Sequence, residues 1–222
     1  MDFEIARHNM IEQQIRPWDV LDPVVLETLA ALHREDFVPP AFRALAFTDM
    51  EIPLDVAGRK SGQTMLAPKV EARLLQAAAP NKTDSVLEIG AGSGFLAALL
   101  AGHADRVTTW EIRPELAEFA RNNLARAGLE HVHVESGNGL SALAGGARFD
   151  LILLSGAVDF VPDTVIAALQ PGGRVIAIVG GPPVMTAQLI TRRSDTSIAV
   201  QVLFDTLAKP LEQFPKRESF VF

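Results

Sequence analysis

The stretch Val86-Leu87-Glu88-Ile89-Gly90-Ala91-Gly92-Ser93-Gly94 indicates the fold class of the chain. Its apolar start predicts a short buried β-strand, and the apolar residues 95–101 that follow it predict a helix. Glycines between a strand and a helix let the backbone turn sharply and approach a bound molecule closely. In α/β proteins such a turn lies at the carboxyl end of a parallel strand, where ligands bind. The stretch therefore predicts a ligand-binding turn in an α/β fold.

Strands and helices are predicted to alternate from about residue 84 onwards. A proline opens and a glycine closes the clearest helix, which runs from Pro114 through Arg126 to Gly128. Apolar strands joined by helices indicate a doubly wound, mostly parallel seven-stranded sheet, covered on both faces, with a closing hairpin that adds one antiparallel strand at the end. The predicted strands are 85–89, 106–111, 131–135, 150–154, 174–179, 186–193 and 197–204, and the helices after the first are 114–126 and 162–169.

Residues 1–80 are predicted to form an N-terminal helical extension before an α/β domain at 81–222, the two making one compact unit. Asp22-Pro23 predicts a helix start, because aspartate accepts hydrogen bonds from free backbone N–H groups and proline suits the first turn. A second helix pattern covers residues 70–78. Residues 39–67 are rich in proline and glycine and are predicted to be irregular. The residues predicted to anchor the tail to the core are Phe214, Phe220 and Phe222.

The composition excludes several classes of protein. The chain has 222 residues, of which 48% are hydrophobic, and a formal net charge of −7. Nucleic-acid binding without sequence preference needs clustered Lys and Arg, so the acidic balance argues against a nucleic-acid partner. A chain without cysteine forms no disulfide and uses no thiolate chemistry. The five histidines are scattered, so no metal site is predicted.

The distribution of apolar residues argues against a membrane partner. No apolar stretch reaches the length of a membrane span. The charged residues Asp2, Glu4 and Arg7 interrupt the segment where a signal peptide would need an apolar run. We therefore expect a cytoplasmic protein.

Three details of the glycine-rich turn favour S-adenosylmethionine over a dinucleotide. The spacing is Gly-x-Gly-x-Gly, so Gly94 stands where a pyrophosphate-binding loop would not have its third glycine. Glu88, just before the first glycine, suits a cationic amino group and repels a pyrophosphate. Glu111 ends the next strand, where its carboxylate can accept hydrogen bonds from both ribose hydroxyls. Because Glu111 alone would also fit a nicotinamide cofactor, a nicotinamide oxidoreductase stays as a distant alternative.

Two further loops are predicted at the same rim of the sheet. Asn138-Gly139 follows the third strand, where the amide side chain or the backbone can hydrogen-bond an adenine edge. Residues 155–157, Ser-Gly-Ala, are predicted to form a loop after the fourth strand, and their small side chains leave room for a reacting methyl group. Residues 169–173, Leu-Gln-Pro-Gly-Gly, are predicted to be a tight structural turn.

The N-terminal region carries motifs of one family. The chain resembles the protein-L-isoaspartate (D-aspartate) O-methyltransferases in the order and spacing of these motifs, from residue 9 to about residue 180. The motifs are NMIEQQIR at 9–16, VLETL at 25–29, HREDFVP at 33–39, AF at 46–47, IPL at 52–54 and GQTMLAP at 62–68.

The resemblance implies a class I, Rossmann-like methyltransferase that uses S-adenosylmethionine. Enzymes of this family methylate the free carboxylate of isoaspartyl residues in damaged proteins and peptides. The loop 62–68 is then expected to line the substrate site, with Gln63, Thr64 and Leu66 as the catalytic positions. The residues expected to hold the cofactor are Glu88, Gly90, Ala91, Gly92, Glu111, Ile112, Asn138, Gly139 and Ser155.

Two departures from the family pattern keep alternatives open. Leu66 stands where the family has a serine, which removes a hydroxyl donor and favours a less polar acceptor. The family's C-terminal stretch Arg-Phe-Val-Pro-Leu is replaced by VLFDT at 202–206 and KPL at 209–211. A class I methyltransferase with a small-molecule acceptor is therefore the first alternative, and a non-catalytic cofactor-binding protein is the second.

Overall fold

The N-terminal region is helical in the computed structural model, which describes residues 2–217. Helix α1 (Phe3–Met10) begins at Asp2, whose carboxylate accepts hydrogen bonds from two backbone N–H groups of the first turn. The same capping by Asp22 begins helix α2 (Pro23–Ala31), as predicted. The other elements of this region are a π-helical turn (Ile11–Ile15), 3-10 turns (Arg16–Trp18, Arg34–Asp36, Pro40–Leu45), the short antiparallel strands β1 (Ile52–Pro53) and β2 (Thr64–Met65), and helix α3 (Pro68–Ala78).

A seven-stranded sheet forms the centre of the fold. Its strands are β3 (Ser85–Ile89), β4 (Arg106–Glu111), β5 (His133–Ser136), β6 (Phe149–Val158), β7 (Leu169–Gly181), β8 (Val184–Ser194) and β9 (Ser197–Thr206). The strand order is β5-β4-β3-β6-β7-β8-β9, and β3 to β7 are parallel. Strand β8 is antiparallel to both of its neighbours. The predicted doubly wound, mostly parallel seven-stranded sheet is thus confirmed.

Helices join the parallel strands on the two faces of the sheet. They are α4 (Phe95–Ala101), α5 (Pro114–Arg126), α6 (Ser141–Ala144) and α7 (Asp163–Ala167). The predicted bounds of β3, β4, α4 and α5 agree with the structure. Strand β5 begins two residues later than predicted, and α7 is shorter than the predicted helix.

Two segments predicted as turns belong to strands instead. Ser155, Gly156 and Ala157 lie inside β6, where the pairing with β7 shifts register between Leu153 and Ala157. Residues 169–173 form the beginning of β7. The reason is non-local: the backbone of Ala157 pairs with β7 and also with residues 209–211, so a glycine-containing segment remains extended.

The sheet is buried between two apolar layers. The larger layer packs residues of the N-terminal region, such as Met10 and Leu29, with sheet residues such as Ile176. The smaller layer includes Phe214, which is 8% exposed. Phe220 and Phe222 lie outside the described residues. The domain boundary at residue 80 stays a prediction. Between residues 2 and 217, no helix has the length and apolar character of a membrane span.

Candidate active site

The glycine-rich turn joins β3 to α4 at the carboxyl edge of the sheet. Gly90, Gly92 and Gly94 have φ angles of +101°, +53° and +83°, which side-chain-bearing residues rarely adopt. The backbone N–H groups of Gly90 and Ala91 donate to the carbonyl of Trp110 at 2.8 and 3.1 Å. These bonds fix the turn against the end of β4.

A pocket opens beside this turn, with a volume of about 630 Å³ including its mouth. Most of the residues predicted for the site line it, and they come from both the N-terminal region and the sheet. These residues are Gln63, Thr64, Leu66, Gly90, Gly92, Glu111, Ile112, Asn138, Gly139 and Ser155. Glu88 and Ala91 line a smaller adjoining recess. The structure therefore brings the predicted cofactor residues and the predicted substrate loop to one place.

Glu111 is held rigidly at the end of β4. Its Oε2 accepts a hydrogen bond from the N–H of Gly92 at 2.8 Å, and its Oε1 accepts one from the N–H of Arg113 at 3.0 Å. The side chain is 5% exposed, and burial raises its pKa, while these two N–H groups act in the opposite direction. Each oxygen keeps a lone pair for a further donor, which fits a pair of hydroxyls.

Glu88 lies in the recess behind the turn and is fully buried. The hydroxyls of Thr109 and Ser155 donate to its two carboxylate oxygens, both at 2.6 Å. Burial raises the pKa of Glu88 to about 7, although both hydrogen bonds act to lower it. A positive group in the recess would draw the proton from this carboxyl group.

We expect the Glu88→Gln variant to weaken the pH dependence of the unfolding free energy. A carboxyl group whose pKa is raised on folding stabilises the fold at low pH, and this contribution is lost as pH rises through the folded-state value. The ordinary pKa is 4.5 and the pKa in the fold is about 7. The contribution of Glu88 to the unfolding free energy therefore falls by about 1 kcal/mol between pH 6 and pH 8. Glutamine keeps the shape and can bond both hydroxyls, and it does not titrate.

Urea unfolding of wild type and variant at pH 6 and pH 8 measures this difference. Equal pH dependence in the two proteins would show that Glu88 keeps an ordinary pKa in the fold.

Asn138 and Gly139 form the rim after β5. The Asn138 Oδ1 accepts from the N–H of Leu140 at 3.0 Å, so the loop is closed by its own side chain. Gly139 packs so tightly that a Cβ there would lie 2.5 Å from Cγ2 of Ile89. The apolar side chains of Trp110 and Leu116 line the pocket nearby. Neither residue was predicted as part of the site, because apolar residues in a strand or helix indicate core as readily as site.

The predicted substrate loop is tied down on two sides. The Thr64 hydroxyl donates to Glu51 at 2.7 Å, and the carbonyl of Leu66 accepts from Nη2 of Arg34 at 2.7 Å. The Leu66 side chain is 5% exposed and lines the pocket. The loop thus presents an apolar side chain where the family pattern has a hydroxyl.

A buried cation supports this loop. Arg34 pairs with Glu71, donates to the carbonyl of Ala46 at 2.9 Å and lies over the ring of Phe95. Burial raises the pKa of Glu71, and the Arg34 guanidinium opposes this effect. The position of Leu66 therefore depends on an ion pair that is shielded from water.

Residues 209–214, here called the covering segment, cross the mouth of the pocket. The backbone carbonyl of Lys209 accepts from the N–H of Ala157 at 2.8 Å, and the N–H of Leu211 donates to the carbonyl of Ala157 at 2.9 Å. The Leu211 side chain lies directly over the glycine turn, because a Cβ at Gly90 would be 2.8 Å from its Cδ2. No residue of this segment was predicted as part of the site.

Glu212 connects the covering segment to both sides of the pocket. Its Oε1 accepts from Nε2 of Gln63 at 2.9 Å and from Nε of Arg113 at 2.7 Å. Partial burial acts to raise the pKa of Glu212, but these two donors outweigh it and the pKa is lowered. The pocket therefore has a carboxylate at its mouth as well as at the end of β4.

The strand order, the glycine turn and the acidic end of β4 define the fold of the class I S-adenosylmethionine-dependent methyltransferases. A sequence model of the family "Protein-L-isoaspartate(D-aspartate) O-methyltransferase (PCMT)" matches residues 6–213. The chain belongs to this family.

Individual relatives agree with this assignment. A protein-L-isoaspartate O-methyltransferase of Koribacter versatilis is 35% identical over 192 residues, which are 86% of this chain and 84% of the relative. Among solved structures, one protein-L-isoaspartate O-methyltransferase has a TM-score of 0.77 at 24% identity, covering 92% of this chain and 65% of the other. A putative Plasmodium falciparum enzyme of the same kind, in complex with S-adenosyl-L-homocysteine, has a TM-score of 0.76 at 17% identity, covering 96% and 100%. These two structures share the fold.

Proposed function

We propose that the protein transfers the methyl group of S-adenosylmethionine to the free carboxylate of isoaspartyl residues in damaged proteins and peptides. The observation that carries this proposal is that the glycine turn and the loop 62–68 line the same pocket. Membership of the family supports the isoaspartyl acceptor. It does not favour the small-molecule acceptor or the non-catalytic protein that Leu66 left open.

The proposed cofactor site follows the pocket from end to end. Glu111 accepts hydrogen bonds from the two ribose hydroxyls, since both of its oxygens are oriented by backbone N–H groups. Trp110, Ile112 and the rim at Asn138-Gly139, which line the pocket, would hold the adenine ring. The turn would hold the amino-acid end, and Glu88 behind it would supply the negative group for the ammonium. In the Plasmodium falciparum relative, S-adenosyl-L-homocysteine is the bound molecule.

The chemistry needs little from the side chains beyond position and dryness. The cofactor would supply a methyl group on a positively charged sulfur. A carboxylate oxygen would bond to this methyl carbon in line as the carbon–sulfur bond breaks, and S-adenosylhomocysteine would leave. A carboxylate of ordinary pKa, about 4, is ionised at neutral pH, so no general base is required. The apolar side chains of Leu54, Leu66 and Leu211 exclude water from the reacting atoms. The loop 62–68, tied by Thr64 and Arg34, holds the acceptor side in place.

We expect wild type to methylate an isoaspartyl peptide and to leave the matching aspartyl peptide unmodified. We expect Leu66→Ser to raise the isoaspartyl rate about tenfold, because a hydroxyl that donates to the acceptor carboxylate is worth about 1.5 kcal/mol. Transfer of labelled methyl groups from S-adenosylmethionine measures both rates.

Leu66→Ala is the matched control, because it removes the same apolar contact and adds no donor. Its rate should stay below that of Leu66→Ser. No labelling of the isoaspartyl peptide by wild type or by Leu66→Ser, while both still bind S-adenosylhomocysteine, would overturn the proposed acceptor.

A further inference from the structure

The pocket is unfavourable for an anionic acceptor in one respect. Glu111 and Glu212 line it, and Glu88 lies in the adjoining recess. A carboxylate that enters is repelled by Glu111 in a pocket of low dielectric, while Arg113 pairs with Glu212 and offsets its charge. Only one oxygen of the acceptor attacks the methyl group. The other oxygen needs a hydrogen-bond donor or a cation, because an unpaired charged oxygen in a dry pocket is unstable.

Three neutral side-chain donors of the pocket already have acceptors. The Thr64 hydroxyl donates to Glu51, the Ser155 hydroxyl to Glu88, and the Gln63 amide to Glu212. Leu66 has no polar atom in its side chain. A partner for the second acceptor oxygen must therefore come from another side chain of the pocket or from a rearrangement of these bonds.

Lys209 is the one cationic side chain among the pocket-lining residues of the described chain. It is exposed, and within residues 2–217 its ammonium group has no ion-pair or hydrogen-bond partner. A groove lies beside the pocket and is lined by residues such as Ala157, Gly181 and Met185. The other exposed cation nearby, Lys216, lines this groove and not the pocket. Lys209 thus differs from Lys216 in being one of the residues that line the pocket.

The backbone fixes where Lys209 stands. Its carbonyl accepts from the N–H of Ala157, and a Cβ at Gly156 would lie 2.9 Å from that carbonyl oxygen. Lys209 lines both the pocket and the groove, which runs along the carboxyl ends of β6 and β7. A polypeptide acceptor that enters from this groove passes Lys209 before it meets the glycine turn. The four-carbon side chain is flexible enough to follow a carboxylate inward.

We propose that Lys209 binds the acceptor carboxylate and makes the pocket selective for an anionic acceptor. This inference rests on the proposed function. The family pattern has a hydroxyl donor at position 66, where this chain has leucine. Lys209 supplies a donor for the acceptor carboxylate from the covering segment instead.

The test compares Lys209→Gln with wild type on an isoaspartyl peptide. We expect the KM for the peptide to rise about fivefold to tenfold at low ionic strength, as for loss of a charge-assisted contact that is partly open to solvent. We expect kcat to change less than twofold, because the carboxylate still attacks in the same geometry. Raising the salt concentration to about 0.5 M should bring the two KM values together, because salt screens the attraction.

Three controls separate this role from a structural one. Lys209→Arg should keep the wild-type KM, since it keeps the charge. Lys82→Gln, a change of the same kind at an exposed lysine that lines neither the pocket nor the groove, should leave the KM unchanged. The Kd for S-adenosylhomocysteine should be the same in all four proteins.

The two possible failures are distinct. A wild type that labels the isoaspartyl peptide, with an unchanged KM in Lys209→Gln, would overturn this inference and leave the proposed function standing. A wild type that does not label the peptide would overturn both. A KM increase in Lys209→Gln that persists unchanged at high salt would also contradict the inference, because a charge contact cannot behave in that way.

Discussion

Replacing Glu111 with alanine is expected to lower the affinity for S-adenosylhomocysteine about tenfold to a hundredfold without unfolding the protein. Hydrogen bonds to a charged group contribute about 1.5–3 kcal/mol, which corresponds to that range of Kd. The carboxylate also accepts from the N–H groups of Gly92 and Arg113, so its loss loosens the turn that lines the pocket. Titration calorimetry with S-adenosylhomocysteine measures the Kd, and NADH should bind neither protein.

Glu118→Ala serves as the control for this variant. Glu118 is an exposed residue of α5 and does not line the pocket. Its replacement should leave the Kd unchanged. A Glu111→Ala protein with wild-type affinity would show that the carboxylate does not contact the ribose.

Replacing Arg34 with methionine is expected to lower the unfolding free energy by about 3–5 kcal/mol at pH 8. The guanidinium is 1% exposed, pairs with Glu71, and donates to the carbonyls of Ala46 and Leu66. Its loss leaves a buried carboxylate and two carbonyls without partners. Because burial raises the pKa of Glu71, the carboxyl group takes up a proton as pH falls, and the destabilisation should be smaller at pH 5.

Two further variants test whether the loss of the buried ion pair causes this destabilisation. Arg16→Met breaks an exposed ion pair with Glu12 and should lower stability by less than about 1 kcal/mol. The double variant Arg34→Met, Glu71→Leu removes both buried charges and should recover part of the loss. Urea unfolding measures all of them. If Arg34→Met were no more harmful than Arg16→Met, the buried pair would have no role in holding the loop.

The fold was predictable wherever local signals decide it. Strand β3 is a short apolar run that a glycine turn follows, and β4 is the next strand along the chain. Pro114 begins α5, and Gly128 follows the end of that helix. Proline and glycine act through their own backbone geometry, so neither needs a distant partner to have its effect. The positions of Glu111 and Asn138 at the rim followed from the same strands.

The parts that could not be predicted depend on partners far away in the sequence. Ala157 remains in a strand because Lys209 and Leu211 pair with it. Arg34 and Glu71 each look like an ordinary charged residue of a helical segment, and only the fold buries them together. Periodicity reports which side of an element is apolar, but it carries no information about which distant segment covers a site.

The covering segment makes ligand exchange and methyl transfer alternate in time. Leu211 lies over Gly90, and Glu212 joins Gln63 to Arg113 across the mouth. We expect these contacts to separate when a molecule as large as the cofactor enters or leaves, and to be closed during transfer, because the closed segment keeps water out. The rate at which the closed state opens would then set an upper limit on turnover. Turnover would be slow if S-adenosylhomocysteine stayed bound for longer than the methyl transfer takes.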